Sequence, residues 1–76
     1  MEERIKRVMA RTFGVNPVTL GDNASAATLA AWDSLRHMNL VLALEAEFNV
    51  EFHDAAVPEL TSYARIRQNL VELGVR

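Results

Sequence analysis

The chain contains no cysteine, and its 76 residues include only two prolines, three glycines and one tryptophan. Without cysteine the protein has neither disulfide bonds nor thiolate metal ligands, so a domain this small must be held together by apolar packing. Its two histidines, His37 and His53, lie far apart in the sequence and form no metal-binding motif. The glycines are scattered, which excludes a glycine-rich loop of the kind that binds phosphate.

Long apolar runs are also missing. No segment approaches the roughly 18 continuous apolar residues of a membrane-spanning helix. The first residues are mostly charged and lack the apolar stretch of an export signal, which favours a cytoplasmic protein. We expect residues 1–76 to form one monomeric domain, and the sequence leaves open whether this domain is free-standing or a module of a longer protein.

Negative charge is concentrated in the middle of the chain, although the net charge is only −2. Residues 33–60 carry six acidic side chains against one basic side chain, which gives this segment a net charge of −5. Such a segment repels nucleic acid and attracts partners that have basic patches. The alternative interpretation is that these acids only keep the surface soluble.

Apolar residues recur at helical spacing in most of the chain, and no stretch alternates as a strand would. The pattern predicts an all-α fold, a four-helix bundle with three longer helices and a short third one that Pro58 shortens or distorts. Serine and threonine before the last helix and glycine after it provide a start and a stop. The predicted helices cover residues 2–13, 34–48, 55–60 and about 62–73, with a long loop over residues 15–33.

The second predicted helix carries two apolar stripes, whereas a surface helix needs only one. The first stripe belongs to a core that we expect to line any acyl-binding pocket as well. We expect the second stripe, together with Arg36 and Glu45, to be exposed for contact with partners. The candidate core residues are Leu40, Leu44, Phe48, Phe52, Leu60, Tyr63 and Ile66, with Leu70 and Leu73 on the same face of the last helix. The candidate contact stripe is Leu35, Met38 and Leu42.

Ser34 stands where the loop gives way to this second helix, with Asp33 able to cap the helix. A hydrolase triad of Ser34, His37 and Asp33 is disfavoured, because one helical turn rarely aligns all three groups with an oxyanion hole. A covalently attached phosphodiester fits better, since the unpaired N–H groups and the positive dipole end of a helix stabilise negative charge. The remaining alternative is that Ser34 only helps to begin the helix.

The runs Trp32-Asp33-Ser34-Leu35, residues 40–48 and Glu51-Phe52 together closely resemble the acyl carrier protein family. The resemblance extends over nearly the whole chain and implies that Ser34 carries 4′-phosphopantetheine, donated by coenzyme A through a phosphopantetheinyl transferase. Asp33 and Leu35 flank the attachment site as in the family motif. It further implies a non-catalytic phosphoprotein that carries acyl thioesters to acyl-activating, acyl-transferring or condensing enzymes of fatty acid, polyketide or related biosynthesis.

The chain departs from the fatty-acid type of this family in two places. Members of that type have acidic residues in the first turns after the serine, where this chain has Arg36, His37 and Asn39. Trp32 replaces the small residue that is usual before the motif. Both departures favour a specialised carrier. His37 is expected to be a surface or partner-contact residue.

Two other functions remain open at this point. A peptidyl or aminoacyl carrier uses the same attachment chemistry, so Ser34 does not distinguish it from an acyl carrier. A small helical adaptor would bind proteins through the stripe of Leu35, Met38 and Leu42 and carry no prosthetic group.

Overall fold

The computed structural model describes residues 1–75, and these residues form three α-helices and no strand. The helices are α1 (Glu2–Phe13), α2 (Ser34–Phe48) and α3 (Tyr63–Glu72). Two single-turn 3-10 helices, Pro17–Thr19 and Val57–Glu59, lie between them. The all-α prediction is confirmed, and so are the predicted bounds of α1 and α2. None of the helices described is long and apolar enough to cross a membrane.

The ends of α1 and α2 follow from local chemistry. Gly14 follows α1 in the left-handed conformation with φ of 69°, which glycine adopts without steric cost. Before α2, the Asp33 side chain accepts a hydrogen bond from the Arg36 backbone N–H at 2.8 Å. After α2, Asn49 takes the left-handed conformation and donates its N–H to the Glu45 carbonyl. Each of these three boundaries was therefore predictable from a single residue.

The short helix predicted over residues 55–60 is present only as a single 3-10 turn, so the shortening expected from Pro58 is confirmed but a fourth α-helix is not. This turn is Val57–Glu59, with Pro58 among its first residues. Pro58 has no N–H to donate, and the neighbouring amides make 3-10-type bonds, from Glu59 to the Ala56 carbonyl and from Leu60 to Val57. The described chain is thus a three-helix structure with a short turn, and a four-helix bundle is not confirmed.

The last helix begins as predicted but ends earlier than its apolar pattern indicates. The Ser62 hydroxyl caps α3 by accepting from the Arg65 N–H at 3.1 Å. Leu73, predicted on the buried face, lies beyond the last helical residue and is 37% exposed. Gly74 follows in a left-handed conformation, with φ of 91°.

One apolar core joins the three helices and the loops between them. The α1 helix is also held to α2 by Arg4, whose guanidinium contacts the Glu47 carboxylate at 3.0 Å and lies 4.5 Å from the centre of the Phe48 ring. All seven residues proposed for the core and acyl pocket are buried. The side chains with the least exposure are Ile5, Val8, Met9, Leu40, Leu44, Leu60, Ile66 and Leu70.

The long loop between α1 and α2 is fixed in place at several points. Leu20 and Ala24 are buried and Leu29 is half-buried. The loop pairs with the segment before α3, since the Ala26 N–H donates to the Thr61 carbonyl and the Tyr63 N–H donates to the Ala24 carbonyl, both at 2.9 Å. The loop therefore delivers residues 32 and 33 to the start of α2 in a defined position.

Candidate functional site

Ser34 is the first residue of α2 and is exposed to solvent. Within residues 1–75 no group hydrogen-bonds to its hydroxyl oxygen. The helix is capped by Asp33, so the serine hydroxyl is not needed to begin it. An exposed hydroxyl on a rigid element, without an internal hydrogen bond, is free to be modified.

Two backbone amides beside this hydroxyl lack an acceptor in the described part of the chain, those of Ser34 and Leu35. The next two amides are satisfied, because Arg36 donates to the Asp33 carboxylate and His37 donates to the Asp33 carbonyl, both at 2.8 Å. Unpaired amides at a helix start, together with the positive end of the helix dipole, favour a negative group. The residues present therefore suit a phosphodiester attached to Ser34.

Asp33, which would repel such a group, forms an ion pair with Arg36. The Arg36 Nη1 lies 3.0 Å from the second carboxylate oxygen of Asp33 and 3.4 Å from the Ala31 carbonyl oxygen. An exposed pair like this one contributes only about 0–1 kcal/mol to stability. Its effect on the site is electrostatic, because one positive and one negative charge next to Ser34 cancel.

A chain of side-chain hydrogen bonds lies directly behind the site. The indole Nε1–H of Trp32 donates to His37 Nδ1 at 3.0 Å, and His37 Nε2 is 2.8 Å from the Val57 carbonyl oxygen. Since Nδ1 accepts, the neutral tautomer with its proton on Nε2 satisfies both contacts. His37 is therefore not simply an exposed surface residue, and its contact with a partner stays a prediction. This half-buried side chain links the loop, α2 and the 3-10 helix.

The same hydrogen bonds show how Ser34, His37 and Asp33, the residues of the hydrolase triad considered above, are arranged. His37 uses both ring nitrogens on Trp32 and Val57, and Asp33 uses its carboxylate on Arg36. The described structure shows no hydrogen bond between Ser34 and His37 or between Asp33 and the imidazole. A nucleophile activated by a neighbouring base requires such contacts.

An open apolar cleft of about 420 Å³ begins at Ser34. It lies between the start of α2 and the 3-10 helix and is widely open to solvent. Trp32 and His37 form part of its wall, and Trp32 also belongs to the apolar core. The lining includes Trp32, Ser34, His37, Met38, Val57 and Pro58.

The predicted contact stripe is exposed: Leu35 by 73%, Met38 by 47% and Leu42 by 61%. Glu45, grouped with the stripe as a contact residue, is half-buried and accepts a hydrogen bond from the Phe52 N–H at 2.9 Å. The sequence did not indicate this internal role of Glu45. Three large apolar side chains on one helix are therefore exposed to solvent.

The residues proposed for the acyl pocket lie in the core and not in the cleft beside Ser34. Four of them, Leu40, Leu44, Leu60 and Ile66, have no accessible surface. A void that admits a water molecule would leave exposed area on its walls, so the core has no such space at these side chains. Tyr63 lines a different cleft, and the Lys6 ammonium lies over its ring. Burial raises the pKa of the Tyr63 phenol.

No protein-family model matches the chain. The candidate site therefore depends on its geometry and on the motif read from the sequence.

Proposed function

We propose that the protein is an acyl carrier protein that is modified at Ser34. The observation that carries this proposal is the exposed hydroxyl of Ser34, free of internal hydrogen bonds, at the start of a capped helix. The unpaired amides of Ser34 and Leu35 and the charge-neutral Asp33–Arg36 pair support it, because they accept a phosphodiester without repulsion. In this proposal Val57–Glu59 is the equivalent of the short third helix in the carrier bundle.

The attachment is a group transfer catalysed by a separate phosphopantetheinyl transferase. The Ser34 oxygen forms a bond to the β-phosphorus of coenzyme A while the bond between that phosphorus and the bridging pyrophosphate oxygen breaks. Adenosine 3′,5′-bisphosphate leaves, and the hydroxyl proton passes to a base of the transferase. The protein itself supplies the nucleophilic oxygen and holds it at a fixed place. It catalyses no step.

The attached 4′-phosphopantetheine supplies a thiol, which holds an acyl group as a thioester. This explains how a chain without cysteine takes part in thioester chemistry. The partners are then the transferase and the enzymes that load, transfer or condense acyl groups in fatty acid, polyketide or related biosynthesis. We place the protein in the cytoplasm, where coenzyme A is available, and expect it to be a monomer.

Coexpression with a broad-specificity phosphopantetheinyl transferase tests the proposal. The intact mass should rise by one phosphopantetheinyl group in the wild type and in Ser25→Ala, a matched control whose serine is half-buried and bonds within its own turn. Ser34→Ala should remain unmodified with an unchanged circular dichroism spectrum. A wild-type protein that gains no mass would refute the proposal.

A peptidyl or aminoacyl carrier is the alternative with the same chemistry, and loading by an adenylating enzyme distinguishes it. The second candidate is an adaptor without a prosthetic group. The exposed stripe of Leu35, Met38 and Leu42 favours it, because large apolar side chains clustered on one helix mark a binding surface. A wild-type protein that gains no mass would favour the adaptor.

A further inference from the structure

We propose that Trp32 and His37 keep the acyl cargo out of the core, so that the protein displays its thioester in the open cleft beside Ser34. This inference depends on the proposed carrier function and departs from the interior acyl pocket that the sequence indicates. It names Trp32 and His37 as positioning residues that determine where the cargo lies. It is argued from their hydrogen bonds, from the packing behind them and from the space in front of them.

The cleft beside Ser34 is lined by residues at the start of α2 and in the 3-10 helix Val57–Glu59, so an acyl chain from Ser34 would meet the core between these two elements. His37 closes this gap, because its Nε2 is 2.8 Å from the Val57 carbonyl oxygen. Trp32 holds the imidazole from the other side at 3.0 Å. An acyl chain that entered here would break both bonds and leave an indole N–H and a carbonyl without partners, away from water.

The space behind this barrier is already occupied. Trp32 is 8% exposed, and its ring packs on Phe13 with 4.7 Å between the ring centres. Behind it Leu40 and Leu60 have no accessible surface. Protein interiors pack as densely as organic crystals, and extra methylene groups inside them force side chains from their preferred rotamers. The core therefore does not accommodate a chain unless Trp32 moves.

The cleft in front of the barrier has the room that the core lacks. Its volume is about 420 Å³, it starts at the modified residue, and Met38, Val57 and Pro58 give it apolar walls. One side is open to solvent, so a polar or branched acyl group lies there without losing its hydration. The cargo class that suits this arrangement is an acyl or aminoacyl group with polar substituents, handed to a partner without prior extrusion from a core.

Thioester accessibility tests the inference. Acetyl- and octanoyl-pantetheine are attached to Ser34 from the corresponding acyl-coenzyme A, and hydroxylamine cleavage is followed by intact mass. In the wild type the octanoyl and acetyl thioesters should be cleaved in the same ratio as in free acyl-coenzyme A. The two loaded forms should also melt at the same temperature. An enclosed thioester would react only from an opened state and would be slowed by about tenfold or more.

Variants of Trp32 test its role. Trp32→Ala removes the ring and should protect the octanoyl thioester, but not the acetyl thioester, from hydroxylamine. Trp32→Phe retains a ring against Phe13 and should restore the exposed behaviour. If Trp32→Ala does not fold, the comparison of acetyl and octanoyl thioesters in the wild type and in Trp32→Phe still tests whether the cargo is exposed. Protection of the octanoyl thioester in the wild type would overturn this inference and leave the carrier function intact. Failure to gain any pantetheinyl mass would overturn both.

Discussion

Replacing His37 with alanine should destabilise the protein by about 2 kcal/mol. The substitution removes two hydrogen bonds, to Trp32 and to the Val57 carbonyl, and leaves both partners unpaired. Each lost bond costs about 0.5–1.5 kcal/mol, and an unsatisfied buried group costs about 1–3 kcal/mol. We take the lower part of these ranges, since His37 is only half-buried. Alanine also returns about 0.5 kcal/mol through its higher helix propensity.

Urea denaturation followed by the fluorescence of Trp32, the only tryptophan, measures this effect directly. The midpoint should fall while the slope stays the same, and the melting temperature should drop by about 4–8 °C for each kcal/mol. His37→Gln is the matched control, because its amide oxygen accepts from the indole while its N–H₂ donates to Val57. A stable His37→Ala, or a His37→Gln as unstable as it, would refute the reasoning.

Three further outcomes are expected. Asp33→Ala should cost about 1 kcal/mol in thermal unfolding through loss of the helix cap, and Asp33→Asn much less; equal losses would contradict the capping role. The hydrogen bond from the Lys6 ammonium lowers the pKa of the Asp22 carboxyl. The stability that this ion pair gives to the folded protein is therefore present above the pKa that the carboxyl has in the unfolded chain. It is lost as the pH falls through the pKa of the folded state. In Asp22→Asn the melting temperature should therefore fall less steeply at acidic pH than in the wild type. Identical dependence of melting temperature on pH in both proteins would exclude a stabilising Lys6–Asp22 ion pair. Transfer of the pantetheinyl group to Ser34 should depend weakly on salt, because the pair beside it is neutral, and a steep loss of rate would contradict this.

Helix positions were predictable from the sequence because they depend on local features. The caps Asp33 and Asn49 and the stop at Gly14 each act within one turn of the helix that they limit. The apolar period likewise identified the buried side of α2. Ser34 was found in the same way, since its position at the start of α2 requires no knowledge of the tertiary structure.

The surroundings of Ser34 were not predictable, because they depend on contacts between distant segments. Val57 is twenty residues from His37, and the carbonyl that contacts the imidazole belongs to the 3-10 turn that contains Pro58. Trp32 and His37 stand five residues apart, a spacing that gives no signal when the loop ahead of α2 has an unknown course. The only available indication was an unusual tryptophan before the serine motif.

The negative charge in the middle of the chain is partly neutralised at α2. Each acid on or next to this helix is engaged within the protein. Asp33 pairs with Arg36, Glu45 accepts from the Phe52 N–H, and Glu47 pairs with Arg4. The ion pairs of Asp33 and Glu47 reduce the negative charge on this helix, whereas Glu45 keeps its charge, because its hydrogen-bond donor is a neutral N–H. The unpartnered feature on this helix is the apolar stripe, so the fit of Leu35, Met38 and Leu42 to an apolar surface should decide which partners bind.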